Sequence, residues 1–550
     1  EVLNFSRLAN RVFRRTGGLI YNYASAGQRT LIMWRALCQC APMLSEYHDR
    51  AASDRSLPAT MLSISKELSS SGISPEELER FCKDMPDSTL RRKLSDIATV
   101  SAAYRLLLSQ SHADPTSDLD RLCEMLDTSA RGYFSGMHVY LDSFYSLTGQ
   151  EHAVLRRIMS EAECFSATVP LPHPTYRGID TASIKNYSDK LRSDAAGFGG
   201  EVETVTLGEN HRPSSQTLKL LTEKLWRMDE DIDTDNSEDD GSVELWQAVD
   251  IYDEAEAAAA RIRALLEDGY RCKDIAVIAR DATKYRGILD TALETMGVPY
   301  YFSEKRDLST SPLSRLILSA LRIKQFGWKR EDVIAHLKTG MLDISTKDAD
   351  LFEEYTAKWS ISGKRLAAEG EWTMNPDGYK GALTPRGEEK LAAANKVHTF
   401  LLNGLKKYFA EINAATSCAE LCRATVGYIE ASGAPKKLKE LAVRELSSDR
   451  ARESAETARS YDAFLTVLDE LCDCFGDGKK PDISEFSFAL STLLEQTQMG
   501  SIPTSSDEVS VGSANMIRAS GVKAVIILGA CDGEFPAAVF NQCCFAGCSG

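Results

Sequence analysis

Residues 139–147 read VYLDSFYSL, an apolar, β-branched and aromatic run that drives into Asp142. A carboxylate at the end of a buried strand is well placed to orient the hydration shell of a magnesium ion. A second acid directly after it would activate an attacking water, but that position holds Ser143. Loss of a positioned general base costs roughly 10²- to 10⁴-fold in rate. Taken alone, Asp142 and Ser143 read either as the remnant of a nucleotide and magnesium site that lacks its hydrolytic group, or as an ordinary apolar strand that happens to end in an acid.

Such a site also needs a phosphate cradle. GxxxxGK[ST] supplies one by wrapping backbone N–H groups around phosphates, with Lys on the terminal ones. The sequence has no such stretch: Gly363-Lys364-Arg365 and Gly478-Lys479-Lys480 lack the upstream glycine spacing and the magnesium-binding hydroxyl. PDISEF at 481–486 opens like a PD-(D/E)xK nuclease motif, yet no acid-x-lysine follows it, and it reads as a helix start. Among the 14 cysteines, Cys38 and Cys40, Cys418 and Cys422, and Cys472 and Cys474 are too close, or lie on helical patterns without a matching second pair. None makes the CxxC layout of a zinc site, so no metal ligands are assigned and the thiols read as reduced and structural. Cys543, Cys544 and Cys548 fall in an irregular tail, 539–550.

The formal net charge of −16 argues against coating nucleic acid by bulk electrostatics, and it leaves room for a local basic track. Much of the acidity sits in DEDIDTDNSEDDG, 229–241, which reads as a solvated linker. A composition 43% hydrophobic and 26% charged suits a soluble globular protein, with no apolar run near the roughly 18–20 residues of a membrane span. The N-terminus has no signal-peptide pattern and reads like the interior of a longer protein.

The elements that would position these groups follow an α/β plan. Short apolar runs at Val2–Phe5, Val139–Leu141, Phe165–Leu171, Val202–Leu207, Ile275–Ala279, Val509–Val511 and Val525–Leu528 read as strands. Several are apolar throughout, as expected for strands buried on both faces of a parallel sheet. Ala255, Ala258, Ala259, Ile262, Leu265 and Leu266 fall at helical spacing, Gly269 closes that helix, and a strand and a further helix follow through Leu293. Residues 51–130 and 314–500 read as helical, with Val397, Leu401, Leu405 and Tyr408 forming one stripe.

Five stretches in this order carry a resemblance. They are LNFSRLANRVFRR with Ser6 as N-cap, VYLDSF, GENHRPSSQTL, and the helix–strand–helix of 253–302, with VKAVIILGACDGEFPA near the end. Together they resemble UvrD-type superfamily 1 helicases. FSRLANRVFRRTGG, VYLDSFYSLTGQEHAVL, HLKTGMLDIS and VGSANMIRASGVKAVIILGACDGEFPA are closer still to the AddB/RexB subunit of the bacterial AddAB helicase–nuclease. The resemblance implies two RecA-like parallel-sheet domains of the P-loop NTPase type, each with a mainly helical insertion. The first would comprise 1–50 and 131–208 around an insertion at 51–130. The second would comprise 209–313 and 501–538 around an insertion at 314–500.

It also implies roles. Arg212 matches an arginine that touches the γ-phosphate in active relatives, with His211 replacing a tyrosine; Phe5, Arg7, Arg11 and Arg518 become candidates for contacting DNA. The family's phosphate loop would precede this stretch, and its nuclease domain, with four iron–sulfur cysteines, would follow it. The implied function is the helicase-like part of a complex that resects double-strand breaks for recombination. It would pair with an AddA-type subunit at DNA ends in the bacterial cytoplasm, scan single strands for a Chi sequence, and hydrolyse ATP poorly. Two other readings stay open from sequence: an active UvrD-type translocase, and a helical scaffold unrelated to nucleic acid.

Overall fold

The computed structural model describes every residue except 21, 52, 111, 171–180, 208–214, 225–239, 304, 380–381, 449, 477–479, 501–504, 518–520 and 536–550. The chain divides into two compact units, Glu1–Ala24 with Met33–Gln247, and Ser25–Ile32 with the described chain from Ala248 on.

The first unit is mostly helical around a small parallel sheet. Strands β1 (His138–Leu141) and β2 (Cys164–Ala167) pair in register, Leu141 opposite Ala167. The helix between them, Gly149–Glu161, starts at a capping box in which the Thr148 hydroxyl accepts the Glu151 amide and the Glu151 carboxylate accepts the Thr148 amide. A side chain at Gly149 would meet the Ser71 carbonyl oxygen at 2.7 Å, so glycine is what lets this helix start against the end of helix Leu57–Ser70. The stretch expected to be helical holds Leu57–Ser70, Pro75–Asp84, Thr89–Ser109 and Asp118–Asp127. Asp96, buried on the third of these, accepts the backbone amides of Ser45, Glu46 and Tyr47 and pins that loop.

Two expected strands do not form here. Val2–Leu3 is irregular and Phe5 opens a helix, Phe5–Thr16, because Asn4 rather than Ser6 caps it: Asn4 Oδ1 accepts the Arg7 amide at 2.8 Å. Val202–Leu207 is irregular as well, with Val205 and Leu207 exposed, since no neighbouring strand among the described residues offers its backbone a ladder. Nor is β1 buried on both faces. Leu141 is buried but Tyr140 is exposed, because helix Gly149–Glu161 packs Val154, Leu155 and Ile158 against one side of the sheet.

The second unit holds the larger sheet. Strands β3 (Ile275–Ala279), β4 (Tyr300–Phe302), β7 (Val509–Ser513) and β8 (Ala524–Leu528) lie in the order β4-β7-β3-β8, all parallel. The central strand β3 is apolar throughout and buried along nearly its whole length, as its sequence predicts. Helix Ile251–Glu267 lays Ala255, Ala259 and Ile262 on it, with Leu289 and Leu293 of the next helix completing the core. Gly269 at φ +96° lets the Tyr270 amide donate back to the Leu265 carbonyl at 3.1 Å and closes the first helix. Strand β8 departs from the expectation of full burial: it is an edge strand, with Val525 and Ile527 exposed.

Between β4 and β7 lies the helical block. It begins at helix Pro312–Phe326 and ends with Ile483–Gln496. The latter starts at a capping box of Asp482 and Glu485, which is what PDISEF encodes. The two ends of the block meet in a short antiparallel pair, β5 (Arg306–Asp307) with β6 (Gln498–Met499). The stripe Val397, Leu401, Leu405 and Tyr408 is buried along helix Pro385–Ala414, as the spacing predicts.

Candidate functional site

Asp142 is the first residue beyond β1, at the strand's C-terminal end. Parallel pairing puts Thr168, the residue after β2, beside it: the Thr168 amide donates to the Leu141 carbonyl at 2.9 Å. The Thr168 hydroxyl donates to Asp142 Oδ1, and the Ser143 amide donates to the Thr168 hydroxyl oxygen at 3.0 Å. The Ser143 hydroxyl reaches the same Asp142 oxygen at 3.3 Å. Ser143 itself sits at φ +60°, a left-handed backbone that only a turn imposing this geometry maintains in a non-glycine residue. The result is an exposed carboxylate flanked by two hydroxyls at the end of a parallel sheet. This all-oxygen set suits a hard ion such as Mg²⁺ held through water, and it has no second carboxylate to act as base. Thr168 was not apparent from sequence, because only the pairing of β1 with β2 puts it there.

Phe144 connects this loop to the first helix. Its ring meets that of Phe5 edge-on, with centroids 5.7 Å apart. Phe5 is buried with Ala9, Val12 and Phe13 on the stripe that packs against Leu122 and Leu126 of helix Asp118–Asp127. The opposite face is basic. At about 100° per residue, Arg7, Arg11, Arg14 and Arg15 share a sector roughly 100° wide. Arg7, Arg14 and Arg15 are exposed, and Arg11 is half-buried and paired with Glu1. Arg14 and Arg15 extend the track that Arg7 and Arg11 begin; the helical spacing from Arg7 is the signal that could have found them. Beneath this helix, the Arg121 guanidinium lies 4.7 Å from the Phe13 ring centre and donates to Asp118 at 2.8 Å. Burial pushes the Asp118 carboxyl above its ordinary range, against the opposing pull of Tyr23 and Arg121.

In the second unit the GACDGEF turn after β8 is held from two directions. The Glu254 carboxylate accepts the Gly529 amide at 2.7 Å and the Tyr285 hydroxyl at 2.7 Å. Lys284 Nζ donates to Glu534 at 2.8 Å. Burial, and then the Glu254 carboxylate, raise the Tyr285 phenol well above its ordinary value, so it stays a donor. Gly529 has φ +65°, and a side chain there would approach the Tyr285 hydroxyl oxygen at 3.0 Å. Arg212 and Arg518 lie outside the described residues, as does nearly all of the acidic segment 229–241 and the whole tail 539–550.

A family model described as "ADDB, N-terminal" matches residues 1–222, the stretch that contains both the basic helix and Asp142. This N-terminal part of the chain thus carries the AddB pattern. Along nearly its full length it is similar to proteins named as the B subunit of an ATP-dependent helicase/deoxyribonuclease. The relative from Thermoanaerobacter sp. (strain X514) is 26% identical over 552 residues, covering 98% of this chain and 47% of that protein. The one from Acetivibrio thermocellus is 26% identical over 554 residues, covering 98% and 48%. That from Clostridium acetobutylicum is 24% identical over 553 residues, covering 98% and 47%. The chain thus spans about half the length of the curated relatives it matches. No helix among the described residues is long and apolar enough to cross a membrane.

Proposed function

We propose that this chain is the helicase-like portion of the B subunit of a DNA helicase–nuclease that resects double-strand breaks for recombinational repair. In this reading it grips and scans single-stranded DNA for a regulatory sequence, and leaves ATP turnover to an AddA-type partner in the bacterial cytoplasm. The two RecA-like domains would be 1–50 with 131–208 and 209–313 with 501–538, around helical insertions at 51–130 and 314–500. Arg212 and Arg518 would face nucleotide and DNA respectively.

One observation carries the reading most of the way. Asp142 stands at the end of a parallel strand with the Thr168 and Ser143 hydroxyls on it; in this reading a nucleotide-bound magnesium would be held there, and Ser143 would stand in the place of the general base. Magnesium, if bound through ATP, would contribute charge neutralisation at the phosphates. The residues present here would orient its water shell and leave the attacking water without a proton acceptor. The basic face of helix Phe5–Thr16 supports DNA contact, because clustered arginines release counterions from a phosphate backbone.

The test uses the full-length subunit, alone and with its partner. Alone, it should show no DNA-stimulated ATP hydrolysis; hydrolysis that disappears in Asp142→Ala would overturn the proposal in favour of an active translocase. With its partner, Arg7→Ala combined with Arg14→Ala and Arg15→Ala should weaken single-strand binding. The log–log salt slope should flatten by about 0.7 for each phosphate contact removed. Unchanged affinity at low salt would remove the basic helix from the DNA track.

A further inference from the structure

The helical block brings together three thiols that the sequence keeps apart. Cys418 and Cys422 sit one turn apart on helix Cys418–Ala431, and Cys472 comes from the facing helix Ala451–Phe475. Their sulfurs all lie within 4.8 Å of one another. Cys418 and Cys422 are buried, whereas Cys472 is only half-buried and opens the cluster to solvent. Each buried thiol donates weakly to a carbonyl of the facing helix: Cys418 Sγ lies 3.9 Å from the Leu471 carbonyl and Cys422 Sγ 3.7 Å from that of Leu468.

We propose that Cys418, Cys422 and Cys472 form a three-thiolate site for a zinc-class ion that clamps the two helices together. Thiolate sulfur selects such ions over magnesium or calcium. Zinc–sulfur bonds of about 2.3 Å at a tetrahedral angle put sulfurs roughly 3.8 Å apart. The present separations, none above 4.8 Å, exceed that by at most about 1 Å. Cys418 is the first residue of its helix, behind the Ser417 cap, where the positive end of the helix dipole favours a thiolate. Binding M²⁺ releases the three thiol protons to solvent and leaves a site of net charge −1. The half-buried Cys472 side supplies the entry path, and its water takes the fourth position.

The test uses the full-length subunit, reduced and stripped of metal with a chelator, then titrated with Co²⁺. Wild type should develop thiolate-to-cobalt charge-transfer and tetrahedral ligand-field bands that Zn²⁺ abolishes. Cys472→Ser, at the half-buried position, should bind one ion fewer per chain, while Cys164→Ser, at an exposed thiol far along the sequence, should match wild type. Equal cobalt binding by wild type and Cys472→Ser overturns the proposal. So does recovery of Cys472 in a disulfide with Cys418 or Cys422 from the unreduced protein. Should Cys472→Ser misfold, alkylation of wild type decides: Zn²⁺ must slow modification of Cys472, and an unchanged rate counts against the site.

Discussion

The Ser143 amide donates to the Thr168 hydroxyl oxygen at 3.0 Å, across a separation of 25 residues, and that hydroxyl passes its own proton toward Asp142. The carboxylate is therefore oriented by the neighbouring strand as well as by its own, and the positive φ of Ser143 is what aims the amide there.

This geometry makes Ser143 selective about its replacement. Ser143→Gly should fall within about 0.5 kcal/mol of wild type, because relief of the left-handed backbone is offset by a more flexible unfolded chain. Ser143→Val should lose about 1–3 kcal/mol, since a β-branched side chain tolerates φ +60° poorly. Denaturant midpoints of the two variants check this. Equal stability for Val and Gly would mean the turn relaxes freely and does not aim the amide.

Glu254 should behave as a structural acceptor. Hydrogen bonds to a charged group contribute about 1.5–3 kcal/mol each. Glu254 accepts two, from Gly529 and Tyr285, which together fasten the turn after β8 to helix Ile251–Glu267. Glu254→Ala should lower stability by about 3 kcal/mol, and Glu254→Gln, which can still accept the Gly529 amide, should recover about half. Limited proteolysis after β8 should accelerate in the alanine variant and much less in the glutamine one.

His336 predicts a pH dependence. It is fully buried, with Nε2 2.7 Å from the Tyr428 hydroxyl oxygen and Nδ1 2.8 Å from Ser319 Oγ and 3.1 Å from the Leu316 carbonyl. These neighbours are neutral, and none supplies the negative charge that would hold an imidazolium. Burial pushes the imidazole down to about 4. The unfolded chain then takes up a proton near pH 6.5 that the folded chain refuses until about pH 4. Its contribution is complete above pH 6.5 and is lost as pH falls through that window, to a total of about 3 kcal/mol. Thermal melts between about pH 7.5 and 4.5 should show this slope in wild type and a shallower one in His336→Gln. Parallel slopes would mean that the imidazole gains its proton inside the fold.

The legible parts were those where local pattern and burial coincide. Ile275–Ala279 is apolar on both faces and is the central strand; PDISEF carries both halves of a capping box and starts a helix. What stayed hidden depended on partners. Val202–Leu207 has the residues of a strand but no ladder among the described residues, and β1 and β8 have the residues of buried strands but only one covered face. At the start, Val2–Phe5 reads as a strand until Asn4 is recognised as a better cap than Ser6. Asp142 could be singled out from its strand together with the order of the stretches around it, whereas Thr168 and the Cys472 side of the thiol cluster needed contacts across 26 and about 50 residues.

The pairing of β3 and β4 with β7 has a consequence for how the chain becomes a protein. Ala276 lies opposite Ser510 and Tyr300 opposite Val509, so these strands leave the ribosome long before their common neighbour does. Loop-closure entropy makes such distant pairings slow, and unpaired apolar strands invite wrong partners in the interval. The intervening helices rely on nearer contacts and can condense first. The two-residue ladder of β5 with β6 then brings their ends together and delivers β7 to its slot. On this order of events the helical block is an assembly jig: its early collapse shortens the effective loop that the sheet must close.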